Sequence, residues 1–326
     1  MEICKKRWYV ILLLIVFILT SCNMPGPIDL SQAADGTNKP YLTPHNTQTA
    51  PTPTFFQPLP PTATFTPIPT ETPTNTPTVT PTPTETPVPT FTATWSTYSA
   101  GDVIVPILLY HHVADLDNSN RYTVSIDSFK AQMQKLQDWD YTPITLVAMV
   151  DVLINGGSLP PRPVVITFDD GNLDIYDNAF PIMEKYHFPG VFYIVSSRLE
   201  STDYVSAEQL KEMVKAGWEI GSHSMTHADI TTDHSIVRDE ILQSRLDLED
   251  ALGVPVKSFA YPFGLTDEYI ATKVQDYGYQ DAVGLGTSNE HTWSTLYYLS
   301  RREVHGEYDL TAFTTLLPWI GRLGSQ

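Results

Sequence analysis

Hydrophobic positions fall along the chain in three regimes. An unbroken apolar run from Trp8 to Leu19 gives way, from Asn23 to Ala100, to a stretch dominated by Thr and Pro in which few residues could be buried. From Val103 onward, short β-rich apolar runs alternate with segments whose apolar residues recur at helical spacing. This pattern predicts strands over 103–110, 164–168, 191–195, 219–222, 258–260, 281–286 and 298–304. Helices are predicted over 128–137 (through Phe129, Met133 and Leu136), 178–186, 207–216, 235–252 and 267–277. Strands separated by helices imply an α/β fold with a parallel sheet or barrel, whose reactive residues belong at the C-terminal ends of the strands.

The first two regimes read as delivery and tether. Lys5, Lys6 and Arg7 precede the apolar run, which ends in Leu19-Thr20-Ser21-Cys22. About 12 apolar residues are too few for an ordinary spanning helix, and the arrangement is that of an export signal. Its last four residues resemble the lipobox of bacterial lipoproteins, which implies a signal peptide over 1–22, lipidation at Cys22 and attachment to the membrane facing outward. A plain secretory signal and an uncleaved anchor are the alternatives. Residues 23–100 hold 17 of the 27 prolines and are expected to remain a disordered, extended linker. The 226 residues of 101–326 are enough for one sizeable core.

Charge and cysteine content narrow the chemistry of that domain. It carries 15 bases against 32 acids, nearly all of the chain's net charge of −18, and such a body repels nucleic acid. Cys4 and Cys22 are the chain's two cysteines. The domain is therefore expected to use neither a disulfide nor a thiolate.

Two constellations lie just after predicted strands. In Thr167-Phe168-Asp169-Asp170-Gly171, two neighbouring carboxylates repel one another unless a cation or a proton sits between them. In Gly221-Ser222-His223-Ser224-Met225-Thr226-His227, histidines four apart, taken as a turn of helix, project from one face and can share a metal ion. Two histidines and a carboxylate would leave coordination positions open for water and substrate.

Together these motifs resemble the polysaccharide deacetylase family, carbohydrate esterase family 4. The resemblance spans essentially all of 103–317 and includes Asn178-Ala179-Phe180-Pro181-Ile182, Gln209-Leu210-Lys211-Glu212-Met213, Gly217-Trp218-Glu219-Ile220 and Gly278-Tyr279. It implies a distorted (β/α) barrel in which Asp169 is the general base and Asp170, His223 and His227 hold one divalent ion. Zn2+ is the default, with Co2+, Ni2+ or Mn2+ also compatible with that ligand set. Phe259-Ala260-Tyr261-Pro262-Phe263-Gly264 matches a third motif of the family. There the backbone N–H of Tyr261, with Pro262, would hold the oxyanion, but Ala260 stands where an arginine commonly orients the base. His305 stands where the family places its general acid, although Glu303 replaces a leucine of that motif. No tryptophan motif can be assigned, Trp293 being too weak a candidate. Tyr110-His111-His112 opens toward the same face and resembles the branch that acts on poly-N-acetylglucosamine, making His111 and His112 candidate substrate contacts. His45, His187, His234 and His291 have no partners at informative spacing and are expected to be solvated.

The resulting expectation is an exported, membrane-tethered, metal-dependent hydrolase that removes N-acetyl groups from N-acetylglucosamine-containing polysaccharide. An O-acetyl esterase of the xylan type would use the same site. A glycan-binding surface module with a vestigial site is the reading kept open by Ala260.

Overall fold

The computed structural model describes residues 94–115 and 120–324, so Cys22 and the segments expected to be signal and linker, apart from the last few linker residues, lie outside it. Seven parallel strands make up a curled sheet: β1 (Ile107–Tyr110), β2 (Pro163–Phe168), β3 (Val191–Ile194), β4 (Glu219–Ser222), β5 (Ser258–Ala260), β6 (Asp281–Val283) and β7 (Arg302–Glu303). Their spatial order is β6-β5-β4-β3-β2-β1-β7, and the short strand Thr142–Pro143 also pairs with β2. The last strand thus lies beside the first, and the seam between β6 and β7 is bridged by the isolated pairing of Val283 with Leu299 and by main-chain hydrogen bonds such as Gly286 N–H to the Arg301 carbonyl. This is the parallel sheet or barrel that the alternation predicted, in the distorted (β/α) form that the family resemblance implied.

Side-chain alternation divides the interior into two cores. Val164, Ile166 and Phe168 of β2 face outward into a large cluster under helices α1 (Ile126–Asp138), α3 (Phe180–Glu184), α4 (Ala207–Lys215), α5 (Ser244–Leu252) and α6 (Glu268–Asp276). Ile107, Val165, Val191, Tyr193, Ala260, Val283 and Leu299 form the inner cluster, which extends to α2 (Leu146–Asn155). The helices start where short polar side chains can satisfy their free N–H groups, as at Ser125 of α1, Thr145 of α2 and Asp267 of α6. Ser206 and Gln209 make a reciprocal capping box at α4. At α2 the half-buried carboxylate of Glu219 also accepts from the N–H groups of Leu146 and Val147.

Several elements differ from their expected form. Pro106, which has no N–H to give a ladder, splits the first run into Asp102–Ile104 and β1. The largely apolar Leu146–Asn155 forms a helix that the pattern did not separate, and the strand 298–304 shrinks to two residues, Arg302–Glu303. Ser96–Tyr98 pairs antiparallel with Gly157–Leu159, so the folded domain reaches back into the segment expected to be linker. His291 is wholly buried rather than solvated: its Nε2 lies 3.0 Å from the carbonyl of Val105, between the strands Glu290–Thr292 and Asp102–Ile104. His234 is half exposed and paired with Asp267 at 2.8 Å, His187 is exposed, and His45 lies outside the described residues.

At the base of the barrel Ser258 donates to Asp281 Oδ1 at 2.6 Å. Ser258 thereby accepts from the Tyr193 hydroxyl at 2.8 Å. The Tyr193 ring reaches β5 by crossing Gly221, where a Cβ would come within 2.4 Å of it. Asp281 Oδ2 is buried with no partner, and burial pushes this carboxyl up to about 7. A carboxyl that is harder to ionise in the fold than in the open chain stabilises the fold at low pH and loses that advantage as pH rises. The loss begins near the unfolded value, about 4, and is complete above about 7. Asp281→Asn is therefore expected to flatten the fall in melting temperature between pH 4 and 7. Thermal melts of both proteins across that range check it; parallel curves would show Asp281 ionises as it does in the open chain.

Candidate active site

The site forms where β2, β4 and β5 end. Asp169 follows β2 and is 2 % exposed, and its main-chain N–H continues the sheet by donating to the Tyr110 carbonyl. Asp170, the next residue, turns out of the strand with φ of 76°. The two carboxylates share His223 as a neighbour, at 3.7 Å and 3.8 Å from its Nε2, and otherwise meet different partners.

Asp169 turns into the barrel, where Arg301 grips it with two parallel hydrogen bonds, Nη1 to Oδ1 and Nη2 to Oδ2, both 2.7 Å. Arg301 is itself 1 % exposed; its Nε donates to the Gly284 carbonyl, and its guanidinium lies 5.3 Å above the Tyr193 ring. Burial would raise the Asp169 carboxyl, but the charges of Arg301 and His223 and the Arg301 hydrogen bonds hold it down at about 2.

Asp170 faces the histidines. Its Oδ1 lies 3.8 Å from His223 Nε2 and 3.5 Å from His227 Nε2, and the three ligand atoms are all within 4.8 Å of one another. Tetrahedral zinc with bonds of about 2.0–2.1 Å separates its ligand atoms by roughly 3.3–3.4 Å, so the three groups fit a divalent ion with little adjustment. The donors are prepared for it. His223 Nδ1 is engaged with the Ala260 carbonyl at 2.8 Å, which leaves Nε2 to face the cluster. Burial, then His223, lowers the affinity of His227 for a proton and keeps its nitrogen free to ligate.

The histidines are not on a turn of helix. His223 directly follows β4, and Ser224 and His227 both adopt left-handed backbone conformations, with φ of 66° and 65°. The loop is pinned by Glu240, which is buried and accepts from the N–H groups of Met225 and Thr226 and from the Thr226 hydroxyl at 2.6–3.0 Å. Of nine non-glycine residues with positive φ among the described residues, four (Asp170, Ser224, His227 and Phe263) belong to this site, so backbone strain is concentrated where its ligands are brought together.

A cavity of about 340 Å³ opens over the cluster, lined among others by His111, His112, Tyr122, Asp170, His227, Phe263, Leu285 and Glu303. His111 Nδ1 is buried without a hydrogen-bond partner and lies 3.9 Å from Glu303 Oε1. Burial lowers its pKa, while the carboxylates of Asp169, Asp170 and Glu303 oppose the fall. His112 bonds Asp174 at 2.6 Å, and that bond raises its pKa. His305 is not among the residues lining this cavity. Its two nitrogens face Glu303 at 2.7 Å and Glu307 at 3.2 Å. The N–H of Tyr261 is already bonded to the Val283 carbonyl at 3.2 Å, which leaves no free donor there for an oxyanion, and Pro262 has none to offer. Pro262 instead begins the tight turn that sets Phe263, with φ of 59°, against the ring of His227. Trp293 lies against Gly101 and donates to the Leu153 carbonyl.

Residues 156–282 match the family model of polysaccharide deacetylases. Over that stretch the chain is similar to the polysaccharide deacetylases. A poly-β-1,6-N-acetyl-D-glucosamine N-deacetylase of Staphylococcus epidermidis is 32% identical over 162 residues, covering 45% of this chain. That match spans 56% of the relative, so the chain spans little more than half the length of the curated protein it resembles. Among solved structures, a polysaccharide deacetylase of Bacillus cereus matches with a TM-score of 0.59 at 28% identity, over 66% of this chain and 69% of its own. A Streptococcus pyogenes deacetylase solved with acetate shares the fold, with a TM-score of 0.63 at 23% identity over 67% of this chain and 99% of its own.

Arg301, just before β7, makes with Asp169 the pairing that an arginine at position 260 was expected to make. Sequence reasoning missed it, although alternation past Leu299 places 299, 301 and 303 on one face.

The two aspartates should respond differently to the same substitution. Asp170→Asn is expected to lose bound metal, whereas Asp169→Asn retains it and loses turnover by about 100-fold or more, the scale of a missing general base; metal content and acetate release of both variants decide this. Arg301→Met strands a buried carboxylate and is expected to cost roughly 3–5 kcal/mol of stability. The double variant Arg301→Met/Asp169→Asn should recover much of that stability without activity, as denaturant melts would report.

Proposed function

We propose that the chain is a metal-dependent hydrolase that removes N-acetyl groups from N-acetylglucosamine-containing polysaccharide outside the cytoplasm. The observation that carries the reading is the division of labour between adjacent aspartates: Asp170 joins His223 and His227, and Asp169, one residue away, is held by Arg301. The name of the S. epidermidis relative supports the choice of glycan. The basic and apolar leader with its Cys22 lipobox supports export and anchoring.

A divalent ion held by Asp170, His223 and His227 would acidify a water and stabilise negative charge developing on the amide oxygen. Asp169 takes the proton of the attacking water. A carboxylate held near 2 is a weak base, so it accepts that proton readily only from a water made unusually acidic. Arg301 keeps Asp169 ionised and fixes both of its oxygens. His111 stands in the same cavity with a partnerless nitrogen and is the group best placed to protonate the departing amine. His112, held by Asp174 on the same wall, meets the sugar. The vestigial-module reading loses its main support, since Arg301 supplies what Ala260 lacks.

Acetate release by residues 94–326 from N-acetylglucosamine oligomers and from acetylxylan tests the reading. Release from the oligomers, abolished by a strong chelator and restored by zinc or cobalt, is expected. Preferential release from acetylxylan would make the chain an O-acetyl esterase, and full activity with an empty metal site would overturn the mechanism.

A further inference from the structure

Two of the arginines near the reactive end of the barrel are committed elsewhere. Arg301 is bonded to Asp169, and Arg121 Nη2 lies 2.5 Å from Glu303 and 2.8 Å from His305 Nε2. A third, Arg198, stands at the histidine–aspartate cluster itself, its Nη1 4.0 Å from Asp170 Oδ1. That oxygen is the one facing both histidines, 3.8 Å from His223 Nε2 and 3.5 Å from His227 Nε2. A cation is therefore already in place beside the atom that would bind a divalent ion.

The segments that carry the ligands hold Arg198 there. It ends the turn Ser196–Arg198 that follows β3. The N–H groups of Ser196 and Ser197 donate to the carbonyls of Ser224 and Met225, which fastens this turn to the loop between the histidines. The Arg198 guanidinium lies 5.2 Å from the centre of the Tyr204 ring, and Tyr204 bridges to Asn172, two residues beyond Asp170. Arg198 is thus tied to both ligand-bearing segments.

Distance decides how it acts. At 4.0 Å the pair is too long for a hydrogen bond, so Arg198 does not fix the angle of the carboxylate. It is not among the residues lining the catalytic cavity, so it does not meet the substrate there. What remains is charge. A positive charge beside Asp170 cancels part of the attraction that this carboxylate offers to a second cation. The balance of the whole centre points the same way. Asp169 with Arg301 and Asp170 with Arg198 sum to zero, and histidines are neutral when they ligate. A divalent ion would therefore keep its charge uncancelled, in a chain whose net charge is −18. An ion in that state is held less tightly and draws electrons from a bound oxygen more strongly.

Resting on the reading of Asp170, His223 and His227 as the metal centre of a deacetylase, we infer that Arg198 is a positioning residue that works through Asp170. It loosens the hold of this carboxylate on the divalent ion and leaves the ion more charge to act on the acetyl oxygen.

The test compares the full chain with Arg198→Gln, which removes the charge, and Arg198→Lys, which keeps it. Arg198 is about one-third exposed, so neither change opens the core. Zinc is titrated into each metal-free protein against a competing chelator. Arg198→Gln is expected to bind zinc fivefold or more tighter, and Arg198→Lys within about twofold of the wild type. The difference should shrink as salt is raised, because the pair is partly exposed. At saturating zinc, acetate release from N-acetylglucosamine oligomers should fall threefold or more in Arg198→Gln and be largely kept in Arg198→Lys. An arginine that merely supported the loops would give the opposite sign, a weaker zinc site on its removal. Zinc affinity unchanged or weakened in Arg198→Gln, or turnover unchanged despite a tighter site, overturns the inference. If the wild type binds zinc but releases no acetate, the deacetylase reading fails separately, and the titrations alone decide the role of Arg198. If the wild type binds no zinc, the metal centre and the inference fall together.

Discussion

Everything at the centre of this domain is arranged around one buried ion pair. Asp169 and Arg301 are each almost wholly enclosed, and neither charge could be carried into the barrel without the other. Once paired, they dictate their surroundings. The guanidinium must have a surface to lie on, which the Tyr193 ring gives it; the ring must reach across β4, which Gly221 permits; and its hydroxyl must find a partner, which Ser258 and Asp281 supply. The chain of contacts runs from the base of the barrel to its reactive end. With both oxygens of Asp169 bonded to Arg301, Asp170 is the carboxylate that reaches both histidines, although Asp169 Oδ2 also lies 3.7 Å from His223 Nε2.

The neighbouring ligands depend on a different constraint, the shape of the backbone. A regular strand end would send Asp170 and the histidines along predictable directions, none of which converge. Left-handed conformations at Asp170, Ser224 and His227 bend two short segments until Asp170, His223 and His227 meet, and Glu240 holds the histidine loop against relaxation. The strain is tolerated because these segments rest on rigid, buried strands.

How much of this could be read in the amino-acid sequence follows from the range of the forces involved. The barrel was legible because alternation and helical spacing are local consequences of which face is buried, and the aspartates and histidines were legible because their spacing is local too. Interactions between distant strands were less so. Arg301 acts on a residue far earlier in the chain, and the two-residue strand that follows it barely registers as a pattern. His111 and His305 show the same limit: both lie near the right end of the barrel, but which one enters the catalytic cavity depends on how Glu303 and Arg121 partition the space. The histidine loop was misjudged for another reason, since four-residue spacing arises from a helix or from a strained turn, and side-chain type alone does not separate them. Buried His291 was likewise invisible, because its partner is a main-chain carbonyl.

The place of Arg301 in the chain carries a consequence for how the molecule comes into being. Asp169 lies about a third of the way into the domain and its counter-charge arrives just before the last strand, after Asp170, His223 and His227 have all been synthesised. Until that strand docks beside β1, Asp169 is an acid in an apolar barrel with nothing to hold its charge. Closing the barrel and balancing the charge at its centre are therefore one event: the segment that docks beside β1 also brings the cation for Asp169, and a chain cut short before residue 301 would keep Asp170, His223 and His227 yet leave Asp169 without its partner.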